Sequence, residues 1–162
     1  MIYFNNYFSI GIYDLKVLGI CISGGKIVYS ILSGTYEEPT LEKQFQSTIL
    51  GTNNIGELMD WFESEFISKI NSDSFDLIAY CISDDSSKKQ YSSNIFPFAI
   101  LNKLAFDKKT TVIEKSQRNF NNKKTTTNRK ITEDCISRFN LPPSVKVKQR
   151  SIMAAWCVLP NE

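Results

Sequence analysis

Histidine is missing from the 162 residues of this chain. Its absence removes the commonest general base, the pairs in which histidine activates a cysteine or serine nucleophile, and the usual zinc sites. The four cysteines are widely separated, and no two of them are spaced as in a CxxC motif, so we predict buried free thiols. Catalysis that depends on histidine is therefore excluded.

Long apolar runs are lacking as well. No stretch approaches the ~20 residues that a membrane-spanning helix needs. The aromatic N-terminus has no basic region and is interrupted by Asn5 and Asn6, so it does not match a signal peptide. The length and ordinary composition indicate one soluble domain. We predict a cytoplasmic protein without membrane contact, in which residues 16–162 form the domain and residues 1–15 form an N-terminal extension or edge strand.

The net charge of +2 conceals an uneven distribution. Residues 1–85 contain 4 basic and 12 acidic side chains, a balance of −8, whereas residues 86–162 contain 15 basic and 5 acidic ones, a balance of +10. This division predicts either two regions that meet different partners or two halves that neutralise each other within one fold.

Residues 16–34 organise the chain. Short apolar and β-branched runs flank Ser23, Gly24 and Gly25, which is the pattern of a β-hairpin. The first run is apolar on both faces, as in a strand that helices cover on both sides. We therefore place a central hairpin here.

Apolar periodicity supplies the other elements. Residues 55–70 form the clearest helix, with one apolar stripe and with Thr52 or Asn53 as its cap. Further strands are predicted at residues 43–50, 75–82 and 110–114, and further helices at residues 94–106, 131–139 and 147–159. Residues 116–128 are polar and are predicted to form a loop. The order predicts an α/β fold with a five-stranded mixed sheet and helices on both faces.

This order resembles that of the RNase H-like superfamily, as in RuvC-type junction resolvases. LGICISGGKIVYSIL resembles the first hairpin of that superfamily, DLIAYCISDD its fourth strand, TTVIEKSQRNFNN its fifth strand, and SIMAAWCVLP its closing Ala-rich helix. The resemblance covers roughly residues 16–160 and extends to a small bacterial family of RNase H-like proteins. It implies an RNase H-like fold in which the first and fourth strands are neighbours.

The same resemblance implies catalytic acids where this chain has Cys21, a position near Cys81, and a position near Ser151. Two-metal nucleases need several carboxylates around Mg²⁺ ions, because the metals stabilise both the attacking and the leaving oxygen. We therefore predict a non-catalytic protein with no metal or cofactor. Cys21 and Cys81 are predicted to be neighbouring core residues. A divergent Mg²⁺ nuclease stays open as an alternative, and its candidate ligands are Asp84, Asp85 and Glu114.

Two binding functions follow from the charges. The leading hypothesis is a pseudoenzyme that binds another protein, as an immunity protein, antitoxin or inhibitor does, with an acidic helix against the basic surface of a toxin. That helix presents Glu57, Asp60, Glu63 and Glu65. The alternative is a nucleic-acid-binding protein whose basic loop contacts phosphates. The residues of that loop are Lys115, Arg118, Lys123, Lys124, Arg129 and Lys130.

Overall fold

The computed structural model describes residues 15–82, 88–116, 135–141 and 146–161, and it describes their side chains except at residues 88–94. These ranges contain five strands, three longer helices and one helical turn at residues 135–138. The strands are β1 (Val17–Ser23), β2 (Lys26–Gly34), β3 (Pro39–Thr48), β4 (Leu77–Ile82) and β5 (Thr111–Ser116). The helices are α1 (Ile55–Ser72), α2 (Lys88–Asp107) and α3 (Lys146–Trp156).

All five strands belong to one sheet in the order β3-β2-β1-β4-β5. β1 pairs with β2, and β2 with β3, in antiparallel directions, whereas β1–β4 and β4–β5 are parallel. Gly24 and Gly25 join β1 to β2 with φ angles of 59° and 71°, which a tight hairpin turn requires and glycine adopts without steric cost. The predicted hairpin and five-stranded mixed sheet are confirmed.

Two hydrophobic clusters lie on the two faces of the sheet. On one side, here called the α1/α2 face, Leu18, Ile20 and Tyr80 pack with residues of α1 and α2. On the other side, the α3 face, Val17 and Cys21 pack with α3. β1 is buried on both faces because it lies at the centre of a sheet that helices cover on each side, as its continuous apolar run predicts.

Gly19 allows α3 to approach the sheet. A Cβ atom at this position would lie 2.0 Å from the carbonyl oxygen of Ser151 and 2.9 Å from the Cβ of Ala155. Both contacts are shorter than real Cβ atoms show, and one of them is to backbone, which cannot rotate away. The close packing of α3 against the sheet therefore requires a glycine at residue 19 of β1.

Several element boundaries differ from the sequence prediction. α2 begins at Lys88 rather than at residue 94, so Pro97 lies inside the helix and not in its first turn. β3 begins at Pro39 rather than at residue 43 and ends at Thr48 rather than at residue 50. The cap of α1 is Asn54, whose Oδ1 accepts hydrogen bonds from the backbone N–H groups of Gly56 (2.9 Å) and Glu57 (3.4 Å). The cap predictions of Thr52 and Asn53 are wrong, because the helix begins immediately after Asn54.

Some predictions fall outside the described residues. These are the N-terminal extension up to residue 14, the loop beyond residue 116, and the start of the helix predicted at residues 131–139, of which residues 135–138 are helical. None of the described helices combines the length and the apolar character that crossing a bilayer requires.

Candidate nucleic-acid interface

The sheet brings Cys21 and Cys81 together. β1 and β4 are parallel neighbours, and their register pairs Cys21 with Cys81. Both side chains lie on the α3 face and are almost completely buried. The prediction that these two cysteines are neighbouring core residues is confirmed.

Ser151, at the third position where the resemblance implies an acid, lies in α3 over β1 and β2. Its hydroxyl is 2.7 Å from that of Ser30, and both residues are fully buried. Gln44 Nε2 donates to Ser30 Oγ (2.9 Å), and Ser151 Oγ donates to the carbonyl oxygen of Lys148 (2.9 Å). The hydroxyls therefore form a continuous hydrogen-bonded chain from β3 to α3, which satisfies these buried polar groups.

These three positions do not fit magnesium. Mg²⁺ prefers carboxylate and water oxygens, whereas the side chains present are two thiols and one hydroxyl that already has partners. Cys135 joins the same cluster, and its burial raises its thiol pKa to about 12, so it does not supply a thiolate near neutral pH. Among the described residues, histidine, cysteine, aspartate and glutamate side chains form no group of three that could hold a metal ion.

Glu114 lies on the other face of the sheet. Its neighbour in register is Tyr80, whose hydroxyl donates a hydrogen bond of 3.0 Å to Glu114 Oε2 on the α1/α2 face. Burial is the main cause that raises the pKa of Tyr80. The structure therefore does not bring Glu114 to the cysteine positions. Asp84 and Asp85, the other candidate ligands of the nuclease alternative, are outside the described residues.

The four predicted acidic residues of α1 separate into two pairs. Glu57 accepts hydrogen bonds from Thr52 Oγ1 (2.8 Å) and Asn54 Nδ2 (3.3 Å), so it is part of the helix cap. Glu65 points toward the sheet, where its Oε1 accepts hydrogen bonds from Ser47 and Tyr29. Asp60 and Glu63 are exposed. Glu57 is exposed as well, but its carboxylate is held in the cap, so Asp60 and Glu63 are the two predicted acids that are exposed and outside these structural hydrogen bonds.

Glu65 belongs to a partly buried polar cluster with β2 and β3. Its Oε1 accepts from Ser47 Oγ (2.5 Å) and from Tyr29 OH (3.2 Å), and Lys69 Nζ lies 3.8 Å away. Tyr29 is fully buried, and burial together with the charge of Glu65 raises its pKa. Glu65 is the acceptor for the only polar atom of the Tyr29 side chain, which gives it a structural role.

We expect Glu65→Ala to lower the free energy of unfolding by about 1–3 kcal/mol, because the Tyr29 hydroxyl loses its acceptor in a dry site. Tyr29→Phe in the Glu65→Ala background removes the unpaired hydroxyl and should recover part of that loss. Urea denaturation of the two single variants and the double variant measures this coupling. Additive effects of the two substitutions would contradict the assigned role.

The exposed side of α1 is not purely acidic. Met59, Glu63 and Ile67 follow one another at intervals of four residues and lie along one line of the helix, with Asp60 beside them. Met59 is 41% exposed and Ile67 is 37% exposed. These four residues form a mixed acidic and apolar surface, which we call the α1 strip.

Basic side chains of α3 form the opposite surface, and the sequence interpretation missed them. Lys146 is exposed, and Lys148 and Arg150 are half-exposed. Within the described part of the chain, no carboxylate pairs with any of the three. The sequence does contain a signal for them, because residues 146–161 include three basic side chains and no acid.

Two helices on opposite faces of the sheet, α1 and α3, differ in charge as the two halves of the sequence do. α1 contains four acids and one lysine, a balance of −3, and packs on the α1/α2 face. α3 contains three basic residues and no acid, a balance of +3, and packs on the α3 face. α1 and α3 therefore carry opposite charge on opposite faces of the sheet, although α2 adds a balance of +2 to the α1/α2 face, and each of the two helices favours a partner of the opposite sign.

The predicted basic loop is described only at its start. Lys115 is half-exposed in β5, where its register neighbour is Cys81, so its side chain lies on the α3 face. Arg118, Lys123, Lys124, Arg129 and Lys130 are outside the described residues. Their role in binding stays a prediction.

Comparison with solved structures finds the same fold in junction resolvases. Thermus thermophilus RuvC in complex with a Holliday junction substrate is similar over 88% of this chain and 91% of that chain, with a TM-score of 0.68 and 8% identity. A fowlpox virus resolvase in complex with Holliday junction DNA is similar over 90% of this chain and 97% of that chain, with a TM-score of 0.56 and 11% identity.

A second Thermus thermophilus RuvC structure is similar over 88% of this chain and 92% of that chain, with a TM-score of 0.66 and 9% identity. No protein-family model matches the sequence, and no curated protein is similar enough to count as a match. At these identities the comparisons establish the fold alone. The predicted RNase H-like architecture, in its RuvC-like form, is confirmed.

Proposed function

We propose that this chain, which has the RuvC-like form of the RNase H-like fold, is a nucleic-acid-binding protein that does not cleave its ligand. The observation that carries this proposal is the α3 face. There, Cys21, Cys81 and Ser151 occupy the positions where the resemblance implies acids, while α3 supplies a balance of +3. Such a face attracts phosphates, and its described residues offer no carboxylate set for metal-dependent hydrolysis.

The positions of two lysines in α3 support the proposal that this face binds an anion. Lys146 and Lys148 lie in the first turn of α3, where the positive end of the helix dipole repels them. Each such charge costs the isolated helix about 0.3–1 kcal/mol. A phosphate group at this end offsets that cost, because it interacts favourably with both the lysines and the helix N-terminus. The arrangement is thus unfavourable in the free protein and favourable in a complex with a polyanion.

The direct test uses fluorescent four-way junction, duplex, hybrid and single-stranded substrates with Mg²⁺ or Mn²⁺. We expect retarded complexes without cleavage under conditions in which an active junction resolvase cuts the junction. Failure to bind any of these nucleic acids would overturn the proposal. Metal-dependent cleavage that disappears in Asp84→Asn or Glu114→Gln would instead establish the nuclease alternative and its Mg²⁺ cofactor.

The α1 strip favours a second candidate function, binding of a basic protein. Met59 and Ile67 expose apolar surface beside Asp60 and Glu63, and such a mixture suits a partner with a basic rim around an apolar centre. We propose a toxin as such a partner, with this chain acting as its immunity protein, antitoxin or inhibitor. This candidate uses the α1/α2 side of the domain, so its predictions separate from those of the nucleic-acid proposal. For either function we propose a cytoplasmic location.

A further inference from the structure

Lys115 ends a row of three side chains that crosses the sheet. The parallel registers pair Cys21 of β1 with Cys81 of β4, and Cys81 with Lys115 of β5. Because residues in register on parallel strands share a face, all three side chains lie on the α3 face. Both cysteines are buried, whereas Lys115 is half-exposed at the sheet edge. The row therefore presents one charged group to solvent, and that group is a cation.

The positive charge of Lys115 is not neutralised by a described carboxylate. Its chain neighbour Glu114 points to the opposite face, where Tyr80 donates to it. Within the described residues, no acid forms an ion pair with Lys115. The charge of Lys115 acts on the Cys157 thiol. Burial raises the pKa of this thiol to about 11, and Lys115 acts in the opposite direction.

We propose that the Lys115 ammonium binds one backbone phosphate of a nucleic acid held on the α3 face, an inference that rests on the proposed function. An ammonium carries three donors and a full charge, so it binds a phosphate oxygen without the carboxylates that a metal ion requires. One tethered cation anchors a phosphodiester but does not generate a hydroxide nucleophile. Lys115 thus gives this face affinity for phosphate without the chemistry of cleavage.

The test compares Lys115→Ala and Lys115→Arg with Lys109→Ala, which removes an exposed lysine from the turn before β5. Affinity for a fluorescent duplex and a four-way junction is measured at several salt concentrations. We expect Lys115→Ala to weaken binding roughly tenfold and to reduce the salt slope by about one, since it removes one phosphate contact. Lys115→Arg should keep the slope of the wild type, and Lys109→Ala should change the slope less than Lys115→Ala does.

Cys157 supplies a second readout at the site itself. It is the cysteine with partial exposure, whereas Cys21, Cys81 and Cys135 are buried, so it should react first with iodoacetamide. A phosphate bound to Lys115 cancels the charge that favours the thiolate, and alkylation of Cys157 should therefore slow when nucleic acid is added. In Lys115→Gln, alkylation should be slow from the start and should not respond to nucleic acid.

The outcomes separate this inference from the proposed function. If the wild type binds and Lys115→Ala binds with the same affinity and the same salt slope, the role of Lys115 is overturned and the nucleic-acid proposal stands. If the wild type binds no nucleic acid, the proposed function falls first. If inorganic phosphate slows Cys157 alkylation and nucleic acid does not, the site takes free phosphate, and the inferred polymeric ligand is wrong.

Discussion

Gly19→Ala should lower the free energy of unfolding by about 3 kcal/mol, at the upper end of what overpacking a core usually costs. The new methyl group would stand 2.0 Å from the carbonyl oxygen of Ser151, so either α3 moves away or β1 distorts. Movement of α3 also strains the hydrogen bond between Ser30 and Ser151. In a domain of this size the loss corresponds to a decrease in melting temperature of about 6–12 °C.

Gly51→Ala is the matched control for this substitution. Its Cβ would meet no atom within 4 Å, and its backbone φ is not in the left-handed region. Replacing such a glycine reduces the freedom of the unfolded chain, so stability should stay unchanged or rise by up to about 1 kcal/mol. Thermal and urea unfolding of both variants measure the difference. Equal stability of the two variants would show that α3 does not pack on Gly19.

Reversing charge on α3 should have the largest effect on nucleic-acid binding. Lys146 and Arg150 are four residues apart, so they lie on one line of the helix, and Lys146→Glu with Arg150→Glu replaces two cations by two anions. We expect affinity for a duplex to decrease about 100-fold at physiological salt and the salt slope to decrease by about two. The glutamate at residue 146 suits the helix N-terminus, so we do not expect this substitution to unfold α3.

The control variant reverses the same number of charges on α1. Asp60→Lys with Glu63→Lys adds four units of charge, as the α3 pair removes four, and leaves Glu57 and Glu65 in their structural hydrogen bonds. This pair should leave nucleic-acid binding unchanged or stronger, and it should slow association with a basic protein partner. A loss of cellular function with the α1 pair, together with normal function of the α3 pair, would favour the protein-binding candidate over the nucleic-acid proposal.

The sheet could be predicted because its signals are local. Each signal lies within a few residues of the element that it predicts. They are the Gly24–Gly25 turn, the run of β1 that is apolar on both faces, and the short apolar run of β4. The predicted ends of helices and strands were wrong where the local sequence signal was ambiguous. A helix start at residue 94 places Pro97 in the first turn, where proline is tolerated, yet α2 begins nine residues before Pro97.

The site was harder to predict, because its members are defined by which face each side chain occupies. Glu114 and Lys115 are consecutive in the chain, but β5 directs them to opposite faces, so their charges serve different surfaces. Glu65 looked like an exposed acid until its hydrogen bond with Tyr29 was visible. The basic residues of α3 give a weaker sequence signal than the basic loop between residues 115 and 130, most of which lies outside the described residues.

The position of α3 late in the chain has a consequence for synthesis on the ribosome. Ser30 and Ser151 are 121 residues apart, and Tyr36 accepts a hydrogen bond from Trp156, 120 residues further on. At about 5–20 residues per second, translation of that interval takes roughly 6–24 s. During this time the nascent hairpin exists without its covering helix, and the apolar side chains of Val17, Cys21 and Leu32 face water. Chaperone protection is therefore most valuable on this face, before the chain has reached α3.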